Sequence, residues 1–190
     1  MAFYSLNELN NFGFKLLGKN VLISTRCAIY RPGEMEIGNN VRIDDFCLLS
    51  GKIIIGNNVH IAAYCNISAG ECSVTFDDFS GLAYGCHVFT GSDDYSGKTM
   101  TNPTVPLKYK GLKESDVFLG RHVIVGTNSV IFPGVYLAEG CAVGALSMVT
   151  KSTEPWYTYF GAPAKKLRRR SKKLLDLEKK YLDDQMNKKI

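Results

Sequence analysis

The sequence predicts an all-β parallel β-helix, and three observations predict it. Ile37, Ile43 and Leu49 recur 18 residues later as Ile55, Ile61 and Ile67. The same spacing returns when Leu119, Val125 and Ile131 are followed by Leu137, Val143 and Val149. Each of these aliphatics opens a six-residue unit, so three units close one turn of a coil. Units this short cannot bury their own apolar face, and successive turns must stack into a three-sided prism with a continuous core.

The units explain their own shape. In Ile37-Gly38-Asn39-Asn40-Val41-Arg42 and Ile55-Gly56-Asn57-Asn58-Val59-His60 the first and fifth residues are apolar and point inward. The Gly-Asn-Asn middle supplies a corner that needs positive φ, which Gly and Asn tolerate. Periodicity alone does not fix the hand of the coil.

Taken in order, residues 3–18 carry Phe3, Leu6, Leu9, Phe12, Leu16 and Leu17 at spacings near three and four, which predicts an amphipathic N-terminal helix ended by Gly18. That helix caps the prism over residues 1–20. Irregular units follow, with Val21 and Cys27 inward, and regular coils begin at Ile37. A further coil runs through Phe76, Leu82 and Val88, shifted by three residues around Ser73–Thr75, so the prism bulges there.

The repeat then stops. Residues 94–116 contain Pro103 and Pro106 without periodicity, and the coil resumes in register at Val117-Phe118-Leu119-Gly120. This is an excursion loop from one corner, and a loop of that length in a compact domain is a place to look for function. Its Lys98, Asn102, Lys108 and Tyr109 are expected to carry specificity. The β-helix is expected over 21–154 and a C-terminal extension over 155–190, with a helix from about Lys165 or Ser171 to Leu182. The whole chain, 1–190, reads as one domain.

Composition narrows the classes. No run of 18 apolar residues exists, so no membrane-spanning helix is expected. The opening Met1-Ala2-Phe3-Tyr4-Ser5-Leu6-Asn7-Glu8 lacks the pattern of a signal peptide, which reads as cytoplasmic. Of the six cysteines, Cys47, Cys65, Cys86 and Cys141 hold inward fifth positions and read as small core residues. From Lys165 onward eleven Lys and Arg face four Asp and Glu, a balance of +7, leaving −2 for residues 1–164. The positive charge belongs to the tail: either a solvated basic helix or a receptor for a polyanionic ligand. Nucleic acid is not expected, because the body is acidic and no reading motif is present.

Several segments together carry a resemblance. Hexapeptide units and an excursion loop are followed by Val125-Gly126-Thr127-Asn128-Ser129-Val130-Ile131-Phe132-Pro133-Gly134-Val135. Then come Val143-Gly144-Ala145-Leu146-Ser147-Met148-Val149-Thr150-Lys151 and Gly161-Ala162-Pro163-Ala164-Lys165. Residues 37–170 thereby resemble the hexapeptide-repeat acetyltransferases of the galactoside and maltose O-acetyltransferase type. The resemblance implies a left-handed β-helix, a homotrimer, and acetyl-CoA as cosubstrate in the groove between neighbouring prisms, with no metal. It implies Thr127 and Ala145 along the pantetheine arm, Thr150 and Lys151 toward the far end of CoA, and Lys165 and Arg168 at its phosphates.

The chain departs from that type where the excursion loop opens. The hydroxyl-acetylating enzymes place a histidine there as general base, whereas this sequence reads Thr90-Gly91-Ser92-Asp93-Asp94-Tyr95. A sugar hydroxyl needs such help, worth roughly 10²–10⁴-fold, while a neutral amine is already nucleophilic. The loss points to an amino-sugar acceptor, with Asp93 or Asp94 holding the ammonium form and relaying a proton. The tail pattern from Glu154-Pro155-Trp156 to Glu178 is similar to a subgroup acting on dTDP-4-amino-4,6-dideoxyglucose in surface-polysaccharide or O-antigen synthesis. The expected function is N-acetylation of a nucleotide-linked amino sugar.

His87, six residues before Asp93, is a candidate for the displaced base; its plainer reading is a corner residue. Asn66 lies where the resemblance implies an amide near the acceptor, able to orient it or the thioester carbonyl; its plainer reading is a turn residue. His60 and His122 read as surface residues. O-acetylation, a non-catalytic β-helix scaffold, and a zinc-binding prism of the γ-carbonic anhydrase kind are the rival readings. The last fails on the placement of His60 and His87 on different faces.

Overall fold

The computed structural model describes residues 2–187; Met1 and 188–190, the outer ends of the assigned cap and extension, lie outside the described residues. The described chain is a parallel β-helix with three faces. The first is built by Leu16–Leu17, Glu36–Ile37, the ends of Leu48–Ile55 and Asn66–Phe76, then Val117–Leu119 and Tyr136–Leu137. The second stacks Leu22–Ile23, Arg42–Ile43, His60–Ile61, Gly81–Leu82, Ile124–Val125 and Ala142–Val143. The third stacks Ala28–Tyr30, the starts of Leu48–Ile55 and Asn66–Phe76, then His87–Phe89, Val130–Ile131 and Met148–Val149.

Strands of two or three residues hold because every rung adds to one core. Ile37, Ile43, Leu49, Ile61, Ile67, Val88, Leu119, Val125, Ile131 and Leu137 are fully buried. Burying one such side chain is worth about 1.5–3 kcal/mol. The inward fifth positions behave as expected: Cys47, Cys65, Cys86 and Cys141 are buried and unpaired. Burial pushes the Cys27 thiol up to about 12, so it stays protonated and serves as filler. At Ser129 and Ser147 the fifth position is a buried hydroxyl: Ser129 Oγ donates to Gly144 O at 3.0 Å, and Ser147 Oγ accepts from Gly161 N at 3.0 Å.

The corner joining the first and second faces runs Gly38-Asn39-Asn40, Gly56-Asn57-Asn58, Asp77-Asp78-Phe79 and Gly120-Arg121-His122. A Cβ at Gly38 would stand 2.6 Å from Gly56 O, which restricts that position to glycine. The residue two places later has positive φ: 55° at Asn40, 58° at Asn58 and 56° at Asn128 on the next corner. Phe46, Tyr64, Phe79 and His122 adopt the same region at a cost of about 1 kcal/mol or more each.

All insertions leave from the third corner, between the third and first faces. Ile67 to Phe76 spans three residues more than the regular unit, and the strand register against Leu48–Ile55 slips between Ser50 and Lys52. One coil on, the excursion leaves. Its neck is an antiparallel pair, Gly91–Ser92 with Lys113–Glu114, set on the bulge through Gly70 N–H donating to Thr90 Oγ1 at 2.9 Å and Ser73 N–H to Asp116 Oδ1 at 2.7 Å.

The structure corrects the boundaries at both ends. The N-terminal helix α1 covers only Leu6–Asn11, opened by Ser5 and Glu8 in a reciprocal cap. Leu16 and Leu17 are the first rung rather than a helical stripe, and Gly18 is a corner whose Cβ would meet Gly38 O at 2.3 Å. At the far end the coil does not stop at 154. Tyr157–Phe160 adds a rung to the second face, and Lys165–Arg169, expected as helix, is an antiparallel strand beside it. Helix α2 begins at Leu174 and runs to Asn187.

His122 is corrected too. Its side chain is only 9% exposed, stacked on Phe79 at 5.2 Å and bonded to Glu178 of α2 at 2.7 Å. Glu178 also takes Arg121. Burial would raise the Glu178 carboxyl, but the bonds from Arg121 and His122 outweigh it and hold it below the usual range. His60 does lie at the surface, beside the buried Asp44 at 2.9 Å.

Candidate active site

The corner joining the second and third faces differs from the first in one respect. Along the first, a side chain caps the N–H of the second corner residue: Asn39 N–H donates to Asn57 Oδ1 at 2.9 Å and Asn57 N–H to Asp78 Oδ1 at 2.6 Å. The equivalent residues on the second corner are Asp45, Ala63, Tyr84, Thr127 and Ala145, the last two on the coils after the excursion loop. The neighbours of these last two bond from coil to coil, Asn128 N–H to Tyr84 O at 2.9 Å and Leu146 N–H to Thr127 O at 2.8 Å. Among the described residues nothing accepts from the N–H of Thr127 or of Ala145. Like those of Asp45, Ala63 and Tyr84 on earlier coils, these two outward backbone donors stand free among the described residues, one coil apart, where a ligand with amide carbonyls could use them.

At the other edge of the third face, the base of the excursion loop encloses two adjoining clefts. One of about 580 Å³ lies among Ser92, Leu112, Glu114, Ser115, Phe132, Pro133 and Thr150. The other, of about 420 Å³, lies among Ser68, Phe89, Ser92, Asp93, Pro103, Lys110 and Leu112. The Phe89 and Phe132 rings, 5.2 Å apart, come from adjacent coils and line one cleft each. Neither ring nor Lys110 stood out in the sequence; the outward positions at the coil next to the loop were the available signal.

The two aspartates at the loop's opening part company. Asp94 accepts from Ser96 N–H at 2.9 Å, Ser96 Oγ at 2.8 Å and Thr99 Oγ1 at 3.1 Å. Those bonds, the Ser96 backbone first, hold its carboxyl below the usual range and make it the organiser of a turn. Asp93 lines the smaller cleft. Its Oδ2 accepts from Asn102 N–H at 3.1 Å, and no hydrogen bond within the described residues uses Oδ1.

His87 and Asn66 lie between the open corner and the clefts. They are paired in register on the third face, and His87 is exposed. His87 lines neither cleft; Phe89, two residues on and about 7 Å along the strand, does. The Asn66 Oδ1 is enclosed and has no hydrogen-bond partner among the described residues. Thr150 stands at the larger cleft with the exposed Lys151 after it, on the loop side rather than the tail side. Lys165 and Arg168 are exposed on the terminal strand, opposite Phe160 and Thr158. Arg168 shares a groove of about 520 Å³ with Arg169 and Lys173, while the neighbouring Lys166 is occupied by Glu154 at 2.6 Å.

Comparison with known proteins agrees with this architecture. The family "Bacterial transferase hexapeptide (six repeats)" matches residues 34–69. A dTDP-4-amino-4,6-dideoxy-D-glucose acyltransferase of Escherichia coli is 42% identical over 181 residues, 94% of each chain. AntD, an N-acyltransferase of Bacillus cereus in complex with dTDP and 3-hydroxybutyryl-CoA, superposes with TM-score 0.96 at 48% identity, over 98% of this chain and 100% of that one. A serine-to-cysteine variant of AntD holding dTDP-4-amino-4,6-dideoxyglucose and coenzyme A gives TM-score 0.95 at 48% identity, over 96% and 98% of the two chains. With likeness over nearly the whole length, this chain belongs to the hexapeptide-repeat acyltransferases, in the group that holds the dTDP-4-amino-4,6-dideoxyglucose acyltransferases.

Proposed function

We propose that this protein transfers an acyl group, acetyl in the simplest case, from acyl-CoA to the amine of a dTDP-linked 4-amino-4,6-dideoxyhexose for surface-polysaccharide or O-antigen synthesis. The observation that carries the reading is Asp93: a carboxylate with a free oxygen faces the loop-base cleft where hydroxyl-acetylating relatives keep a histidine. A carboxylate suits an ammonium group, and an amine needs no strong base once neutral.

In this reading the pantetheine arm lies along the second corner, its carbonyls on the N–H of Thr127 and Ala145, and Lys165 and Arg168 meet the nucleotide phosphates of CoA. Thr150 and Lys151 flank the loop side of the same groove. Asp93 binds the acceptor's ammonium and relays its proton, with His87 as a second acceptor; Asp94 keeps the loop in shape. The neutral amine attacks the thioester carbonyl, the tetrahedral intermediate collapses, and the thiolate leaves with the amine's proton, giving the amide and free CoA. A ligand stretched across an open prism face is exposed on its far side, so we include a homotrimer whose neighbouring prism closes the groove, acting as one domain per chain in the cytoplasm. No described helix is long and apolar enough to cross a membrane.

The test is a mass-spectrometric acceptor screen with acetyl-CoA and 3-hydroxybutyryl-CoA. Mass gain on dTDP-4-amino-4,6-dideoxyglucose is expected. Acylation of neutral oligosaccharides alone would move the reading to O-acylation, and no thermal shift at millimolar CoA would leave a binding scaffold.

A further inference from the structure

On the third face, Asn66 presents an enclosed amide oxygen that nothing satisfies. A buried acceptor without a donor costs about 1–3 kcal/mol and calls for a reason. The strands on either side pair Asn66 with Leu48, which has no side-chain donor, and with His87. The His87 side chain is exposed, makes no hydrogen bond among the described residues, and stands one rung away, about 4.8 Å from strand to strand. Across one strand spacing, an imidazole in a suitable rotamer is long enough to reach an amide oxygen on the neighbouring strand.

We propose that Asn66 is a positioning residue: its Oδ1 accepts the one N–H of neutral His87 and so turns the other ring nitrogen, with its lone pair, toward the groove between the Thr127–Ala145 corner and the Asp93 cleft. A neutral imidazole carries one donor and one acceptor, and the bond made by one nitrogen decides the tautomer of the other. Placed in this way, the free nitrogen can receive a proton from the acceptor amine as the amide forms. This assigns Asn66 to the histidine rather than to the sugar or the thioester. It rests on the acyl-transfer reading above for its use, but not for its existence.

The chain has three histidines, so the imidazole ¹⁵N spectrum of the labelled full-length protein can be assigned by loss of the His87→Gln signal. Without any substrate, neutral wild-type His87 is expected as a single tautomer, and Asn66→Ala as a mixture. A mixture in the wild type overturns the proposal even if acyl transfer is fully established, while a single tautomer supports it even if no acceptor is ever acylated. In activity, Asn66→Ala should lower kcat about tenfold with KM for both substrates within about twofold, the loss of one hydrogen bond. Asn66→Asp should restore most of kcat and move the acidic limb of the kcat/KM profile to higher pH, because a carboxylate favours the charged imidazole. An acidic limb unmoved in Asn66→Asp, with only stability altered, overturns it as well.

Discussion

Two edges of the same prism are built from the same unit and end up with opposite properties. On the first corner, Asn39, Asn57 and Asp78 bond side chain to backbone and side chain to side chain, and Arg121 closes the ladder on Asp78 Oδ2 at 3.0 Å. On the second, backbone bonds alone hold Asn128 and Leu146, and the N–H of Thr127 and Ala145 are left over. The difference lies in one residue per unit. Asn57 and Asp78 each accept from the N–H of the coil before, whereas Ala145 has no side-chain acceptor to offer Thr127.

Five substitutions break or sharpen that contrast. The largest effect is expected across the third face from the open corner, at the loop: Asp93→Ala should lower kcat by about 10²-fold or more. Asp94→Asn, which keeps an acceptor for the Ser96 turn, should cost far less in the same steady-state assay. Next, Ala145→Pro deletes one free donor at a position that precedes positive φ, where a type II turn accepts proline. KM for acyl-CoA should rise about tenfold, one hydrogen bond's worth, with Tm unchanged. An unchanged KM would mean that the corner is open but unused.

On the saturated side the sign reverses. Asn57→Ala should cost about 1–2 kcal/mol of stability, seen as a lower melting temperature, and leave kcat alone. The smallest effect concerns α2. Because the Glu178 carboxyl is held below its ordinary 4.5, its ties to Arg121 and His122 contribute fully above that pH and fade as pH falls through the lower folded value. The Tm gap between wild type and Glu178→Gln should therefore shrink between pH 6 and pH 3.

The coil was legible because its signal is local: an aliphatic, a small residue and an Asn corner every six positions. Where the spacing changed, it was lost. Leu17-Gly18-Lys19-Asn20-Val21 follows the unit pattern but stands 20 residues before Ile37, and the leucines ahead of it extend the helical spacing of Leu6, Leu9 and Phe12. Lys165–Arg169 reads as a basic helix until Tyr157–Phe160 comes alongside, a pairing no window of sequence contains. His122 looked like a surface corner because the helix that covers it arrives 56 residues later. At the site, the sequence could not tell Asp93 from Asp94, since what separates them is that Ser96 and Thr99 fold back onto Asp94.

The neck of the excursion is clasped by two antiparallel residue pairs, and the rungs above and below stay in register across it. Whatever hangs from that clasp can change length or composition without disturbing the rod. The 91–114 segment is thus a self-contained cassette, and a chimera carrying a relative's version of it is the natural unit for redesign.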